Sequence, residues 1–134
     1  MERFLSKYSP YLYAILRIVA GLMFAMHGSQ KLFGHPGNRP PVAVASLLGV
    51  AGVIEFVAGL MIAFGLLAGY AAFIASGQMA VAFFRQHFPA AFLPIMNGGE
   101  LAVLYCFLWL FIASQGSGRW SLDALRRGAR ATTT

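Results

Sequence analysis

Arg17, His27 and Lys31 fall inside one apolar stretch, Ile15 to Gly34, that reads ILRIVAGLMFAMHGSQKLFG. Glu55 interrupts a second such stretch, Arg85 and His87 close a third, and Asn97 and Glu100 open a fourth. These residue types donate hydrogen bonds and exchange protons, and lipid rejects most of them unless they face a partner or a polar cavity. A quinone head group asks for that set: hydrogen-bond donors and an acid–base partner at interfacial depth, reached from lipid between helices. His27, Lys31, Arg85, Asn97 and Glu100 are therefore the candidate ligand pocket, and Arg17 with Glu55 a candidate structural ion pair. No residue is assigned a catalytic role.

Other chemistries fit less well. His27 and His87 could ligate a b-type haem, but His87 adjoins a proline-containing loop. No HxxxH or HEXXH spacing supports a metal, so haem is disfavoured and no metal site is expected. The single cysteine, Cys106, allows no intrachain disulfide, CxxC redox pair or covalent haem attachment, so no covalently bound cofactor is expected, and it reads as a small buried hydrophobe. A transporter would show broken helices, inverted repeats and more spans.

The elements that hold these residues are membrane helices. Of 134 residues, 59% are hydrophobic and 10% charged, and the mean hydropathy is +0.70, far from a water-soluble domain. The net charge of +6 gathers at the chain ends without a basic surface interleaved with aromatics. It points to topology or anionic lipid and away from nucleic acid. Arg17 interrupts the first apolar run and no A-x-A-like site follows it, which favours an uncleaved first helix over a signal peptide.

The chain reads as a single all-α domain over 1–134, an antiparallel four-helix transmembrane bundle with a short C-terminal amphipathic helix. The first span covers 11–33, with Tyr8, Tyr11 and Tyr13 as an interfacial belt. From Val42 to Phe84 the chain is apolar for about 65 Å if helical, twice the hydrocarbon thickness, so it folds back near Gly65–Tyr70. That gives spans at 42–65 and 68–87, and a fourth at 95–115. Over 119–130, Ser121 can cap an amphipathic helix with Asp123 at its positive end and Trp120 and Leu122 in the interface. The Ala131–Thr134 tail is expected to be disordered. Arg3, Lys7, Arg119, Arg126, Arg127 and Arg130 outweigh Lys31, Arg39 and Arg85, which predicts a multi-pass protein of the bacterial plasma (inner) membrane with both termini cytoplasmic.

Lys31 sits about 40° from Arg17 around the first helix, and His27 about 40° further on, so the three share a stripe. By depth the stripe divides. Arg17 and Glu55 lie about 13 and 15 Å from the inner ends of their spans, which predicts an inner-layer pair joined by Gln78. His27, Lys31, Arg85, His87, Asn97 and Glu100 form an outer layer. The bland reading of the inner pair, a register device, outweighs chemistry, whereas for the outer cluster solvated helix ends and a ligand pocket weigh about equally. Phe83, Phe84, Phe88 and Phe92 read as interface packing. The glycines Gly49, Gly52 and Gly59 suit close helix approach, within the chain or in a homodimer.

The run LRIVAGLMFAMHGSQKLFG, then AGVIEFVAGLMIAFG, NGGELAVLYCFLWLF and GSGRWSLDALR resemble the DoxX family of small bacterial membrane proteins. The most specific parts are H-G-x-x-K-L-F-G at 27–34, V-I-E-F-x-x-G-L at 53–60 and G-x-G-x-x-S-L-D at 116–123. The resemblance implies a four-helix membrane bundle. It links the chain to a family named for a subunit of an archaeal thiosulfate:quinone oxidoreductase, with other members tied to quinone or thiol stress and redox partners. His27, Lys31, Glu55 and Glu100 carry over as motif residues without a catalytic role. Two readings follow. One is a quinone-linked redox subunit with a polar pocket near the non-cytoplasmic face. The other is a non-catalytic structural or assembly subunit. Either implies the lipid bilayer and a membrane or peripheral redox protein, or a second copy, as partners, and whether the chain is an enzyme stays open.

Overall fold

The computed structural model describes residues 1–131, and those residues form helices with no strand among them. In order they are α1 (Glu2–Ser6), α2 (Ser9–Phe33), α3 (Leu47–Phe64), α4 (Ala68–Ala82), α5 (Pro94–Asn97), α6 (Glu100–Gln115) and α7 (Leu122–Ala131). The expectation for the threonine tail lies outside the described residues.

Local chemistry explains where each helix starts and stops. Pro10 sits in the first turn of α2, where no N–H is required, and Gly34 ends that helix at φ +74°. Helix α3 begins five residues later than hydropathy alone placed it. Ser46 Oγ accepts from Gly49 N at 3.0 Å as its N-cap, while Val42 N is used by Lys31 O at 2.9 Å. After α4 the chain widens for one turn over Phe83–His87, with Phe88 N reaching back five residues to Phe83 O at 2.9 Å. The apolar stretch from residue 95 is not one helix. Gly98, at φ +70°, and Gly99 separate the single turn α5 from α6.

Two of these helices, α2 and α3, are long and apolar enough to cross a membrane. The packing is inverted relative to a water-soluble protein. Small residues are buried, among them Ala14, Ala20, Ala25, Ala58, Ala71, Ala72 and Ala75, whereas Leu12, Ile15, Val19, Phe73, Ile74, Leu104 and Phe107 are exposed. An apolar exterior on successive helices is a surface made for lipid or protein. The large buried exceptions are aromatic: Phe24 and Tyr105 both pack on Trp109, at 5.0 and 5.2 Å between ring centroids.

Helix α2 lies against α3, α3 against α4, and α4 against α6. Glycine sets the first of these contacts. A Cβ on Gly21 would stand 2.6 Å from Ala63 N, one on Gly28 2.3 Å from Phe56 N, and one on Gly59 2.5 Å from Ala25 N. The backbones of α2 and α3 therefore touch, running antiparallel, and the Gly52 and Gly59 ridge is used within the chain. Gly49 instead packs on its own preceding loop at Ala43 and Val44. Cys106 is only half-buried, and Ser76 Oγ donates to its carbonyl at 2.8 Å, tying α4 to α6.

This register overturns the expected Arg17–Glu55 pair. Helix α2 has 25 residues and α3 has 18, so α2 overhangs α3 at the inner end and Arg17 lies level with the last turn of α3. Its fully buried guanidinium donates from Nη1 to Ile62 O and Ala63 O at 2.5 and 2.7 Å. From Nη2 it donates to Arg119 O and Trp120 O at 3.2 and 2.7 Å. A cation at a helix C-terminus satisfies carbonyls that the helix leaves without partners. The depth estimate failed because it set the inner ends of the two helices level.

Asp123 completes this inner staple. Its Oδ2 accepts from Ser117 Oγ at 2.5 Å and from Leu67 N at 2.8 Å, and Asp123 N donates to Gly65 O at 3.1 Å. Ser121 Oγ accepts from Ala124 N at 3.1 Å as the N-cap of α7. Tyr13 is not a belt residue. Its hydroxyl donates to Gly116 O at 2.5 Å, and its ring packs on Phe111. The α3–α4 turn and the start of α7 are thus bound to each other and to α2.

Two predictions follow from these contacts. Gly28→Ala should lower stability by about 1–3 kcal/mol, the usual cost of overpacking, while Gly128→Ala, where nothing lies within 4 Å, leaves it unchanged or raises it by up to about 1 kcal/mol. SDS titration of the purified variants measures both. The Ser117 hydroxyl holds the Asp123 carboxyl below its ordinary range; burial opposes it less strongly, and the Leu67 amide and the Arg126 and Arg127 charges add smaller lowering effects. A carboxyl bound more weakly to protons when folded stabilises the fold above its unfolded pKa and loses that effect as pH falls through the folded value. The melting temperature should therefore fall on acidification below the ordinary carboxylate range, and Asp123→Asn should flatten that dependence while lowering the melting temperature at neutral pH.

Candidate functional site

The half of the molecule remote from α1 and α7, where the sequence places the outer layer, holds a cavity of about 610 Å³ between α2, α3, α4 and α6. Apolar side chains such as Phe24, Leu47, Ile54, Ile74 and Leu101 make most of its wall, and His27, Lys31, Glu55, Gln78, Arg85, His87 and Tyr105 are its polar lining. A large apolar cavity with a few convergent polar groups is the usual form of a small-molecule site.

Helix register explains the convergence. A Cβ on Gly52 would meet Lys31 Cβ at 2.9 Å, so α2 and α3 are close enough for the next turn of α3 to bring Glu55 to the lysine. Lys31 Nζ lies 2.5 Å from Glu55 Oε1, and Gln78 Nε2 donates to the same oxygen at 3.0 Å. Glu55 is 2% exposed and Lys31 27%. Burying a carboxylate this deeply costs several kcal/mol unless it is paired and hydrogen-bonded. Lys31 and Gln78 supply that compensation at one oxygen only. Glu55 Oε2, Gln78 Oε1 and the Tyr105 hydroxyl are all buried without a protein partner. Three side chains lining one cavity thus hold unused hydrogen-bonding capacity, and unpaired groups of this kind mark a site that a ligand or water satisfies.

The other expected residues are placed as follows. The half-buried His27 ring meets Tyr105 edge-on at 6.3 Å between centroids. The widened turn after α4 carries Arg85 and His87, both in the lining. Arg85 is exposed, while His87 stacks on Phe83 at 6.4 Å and its Nδ1 lies 3.1 Å from Asn97 O. Asn97 and Glu100 are not brought into the lining. The Asn97 side chain is spent on its own loop, donating to Ala91 O and accepting from Gly99 N, each at 2.8 Å. Glu100 is exposed in the first turn of α6, where a negative charge suits the helix dipole. No group of three or more His, Cys, Asp or Glu suited to a metal ion occurs among the described residues.

Glu55 and Gln78 move from the expected inner layer into this outer site, and Tyr105 joins them unforeseen. Its signal was available: a tyrosine in an apolar run needs a partner for its hydroxyl. The arrangement offers a lysine donor beside a carboxylate, with an amide, a phenol and an imidazole nearby. It can hydrogen-bond a carbonyl or hydroxyl on a flat apolar ring, with Lys31 compensating the Glu55 carboxylate.

Because Lys31 and Glu55 share a buried contact, their substitutions should couple. Lys31→Met alone strands the Glu55 carboxylate and should cost about 3 kcal/mol, the low end for breaking a buried pair, since Lys31 keeps some exposure. The Lys31→Met/Glu55→Leu double variant should be more stable than the sum of the two single variants implies. A double-mutant cycle by SDS titration reads this, and additive losses would contradict the pairing.

The family model for DoxX matches residues 12–88, a segment holding α2, α3, α4 and the widened turn, and hence Lys31, Glu55, Gln78 and Arg85. An uncharacterized protein of Haemophilus influenzae (strain ATCC 51907 / DSM 11121 / KW20 / Rd) is 44% identical over 126 residues, covering 89% of this chain and 93% of its own length. No solved structure matches the chain. The family match spans more than half of the chain and includes the residues that build the cavity floor: the chain belongs to the DoxX family.

Proposed function

We propose that this DoxX-family membrane protein is a quinone-linked subunit of a redox complex, and that its outer cavity receives the quinone head group. The observation that carries this reading is the set of buried polar atoms without partners, on Glu55, Gln78 and Tyr105, in a cavity whose wall is mostly apolar. In the same reading the chain crosses the bacterial plasma membrane four times: through α2, α3, α4 with its widened turn, and α5 with α6. Both termini are cytoplasmic. The exposed Leu, Val, Ile and Phe residues of these helices support the spans, and the arginines of α7 and its approach support the orientation.

A quinone supplies two-electron, two-proton chemistry. The residues here would supply the rest. Tyr105, Lys31 and His27 can donate hydrogen bonds towards a ring oxygen, and the unpartnered Glu55 Oε2 and Gln78 Oε1 can accept from the hydroxyls of the reduced form. The Glu55 carboxylate, its charge balanced by Lys31, is the acid–base partner nearest the ring. Arg85 and His87 stand at the aqueous edge, where protons exchange with solvent. Phe24 and Ile54 give the ring an apolar bed that excludes water. With a single cysteine in the sequence, electrons would be exchanged with a partner protein.

A second reading, a structural or assembly subunit without ligand chemistry, is favoured by one observation. Both buried charges, Arg17 and Glu55, lock helices together. It differs in its response to substitution, since Glu55→Gln and Arg17→Gln would then reduce partner recovery with no ligand-binding phenotype.

Titration of the protein in lipid nanodiscs with a short-chain quinone, followed by intrinsic tryptophan fluorescence, tests the first reading. Lys31→Met and Gln78→Leu should each weaken binding by about tenfold or more, the worth of one hydrogen bond involving a charged group. Glu100→Gln, outside the cavity, should bind as the wild type does. Equal affinity in all of these folded proteins would overturn the quinone reading.

A further inference from the structure

A second cavity, of about 640 Å³, lies at the opposite end of the molecule, between α2, the end of α3 and α7. Its lining is almost wholly apolar: Ile18 and Leu22 from α2, Phe64 from α3, Trp120 before α7, and Leu122 and Leu125 on it. The side chains of Arg17 and Asp123 are not part of its lining. Trp120 has φ +50°, an uncommon backbone state for a bulky residue. Its ring is 59% exposed and lies 5.4 Å from Tyr11 between centroids.

The charges around this groove are of one sign. On α7, Arg126 lies one turn beyond Leu122, at the border of the apolar face, and Arg127 and Arg130 continue the opposite face. Arg119 stacks over Tyr11 at 5.2 Å. The nearby carboxylate, Asp123, is turned into the fold by Ser117 and Leu67, so the groove's rim presents cations. Tyr11 and Trp120 mark the level at which headgroups meet acyl chains. An acyl-sized apolar slot beneath an arginine-bearing amphipathic helix is the arrangement expected for an anionic amphiphile.

We propose that this groove is a binding site for an anionic phospholipid of the cytoplasmic leaflet, with an acyl chain against Leu22, Phe64 and Leu125 and the phosphate facing Arg126. The proposal rests on the membrane reading above and is independent of the quinone. A bound lipid covers the exposed edge of α7 and ties it to α2 and α3, so lipid occupancy stabilises the staple that closes the inner end.

The full-length protein in mild detergent is delipidated and heated with added phosphatidylglycerol, phosphatidylcholine or inorganic phosphate, and bound lipid is counted by native mass spectrometry. Phosphatidylglycerol should raise the melting temperature in a saturable manner and remain bound, whereas phosphatidylcholine and phosphate should do neither. Arg126→Gln should reduce the shift to the phosphatidylcholine level. Leu22→Trp, which fills the groove from the helix that does not carry the arginines, should abolish retention of the lipid. Equal shifts with both lipids, an unchanged shift in both variants, or a second protein copy covering the groove would overturn the proposal. Insertion of the wild type into phosphatidylcholine vesicles is scored separately. Failure to insert would strike the membrane reading instead.

Discussion

Backbone contact between α2 and α3 is the constraint on which the other features depend. At Gly21, Gly28 and Gly59 no side chain separates the helices, and that closeness permits one register. In that register Lys31 faces Gly52 and reaches Glu55. The same register carries Arg17 past the body of α3 to its terminal carbonyls. In a low-dielectric surrounding each charge must find its partner, and a slip of one turn would leave both without one. Van der Waals fit and charge satisfaction therefore select the same alignment, which is how a sequence poor in polar residues specifies a single structure.

The two ends of the molecule use polar residues in opposite ways. At the inner end most of the staple's hydrogen-bonding capacity is consumed, although Arg17 Nε has no partner among the described residues. Arg17 serves four carbonyls, and Asp123 serves a hydroxyl and an amide. That pattern fixes structure. At the outer end Glu55, Gln78 and Tyr105 each keep a buried atom in reserve, beside a cavity of about 610 Å³. Polar capacity that folding does not consume is what a ligand can use. The widened turn after α4 adds to the contrast. Its longer hydrogen bond interrupts a regular helix where Arg85 and His87 enter the lining, and such turns recur at functional sites.

Much of this was legible in the residues. Apolar runs and breakers located the long helices α2 and α3, whereas the expected layers of the charged stripe exchanged members: Glu55 and Gln78 lie with Lys31, and Asn97 and Glu100 lie outside the cavity. The partners within those layers were less legible. Pairing depends on how far one helix slides along another, and hydropathy does not measure that. Ser46 shortens α3 from its expected start at 42 and α2 overhangs its end, so Arg17 meets carbonyls where a carboxylate was expected. Gly98 and Gly99 interrupt what composition reads as one continuous span, which spends Asn97 on a local turn and leaves Glu100 exposed. The backbone acceptors of Arg17 carry no sequence signature at all, because any residue supplies a carbonyl.

The account stands on the claim that the outer cavity is the ligand site, and photo-crosslinking tests that claim most directly. An azido-quinone is illuminated with the protein in nanodiscs, and the labelled peptides are identified by mass spectrometry. The account predicts label on the cavity-facing parts of α3, α4 and α6, around Glu55, Gln78 and Tyr105, displaced by excess unlabelled quinone. Label confined to the lipid-facing residues, or undiminished by competitor, would contradict it.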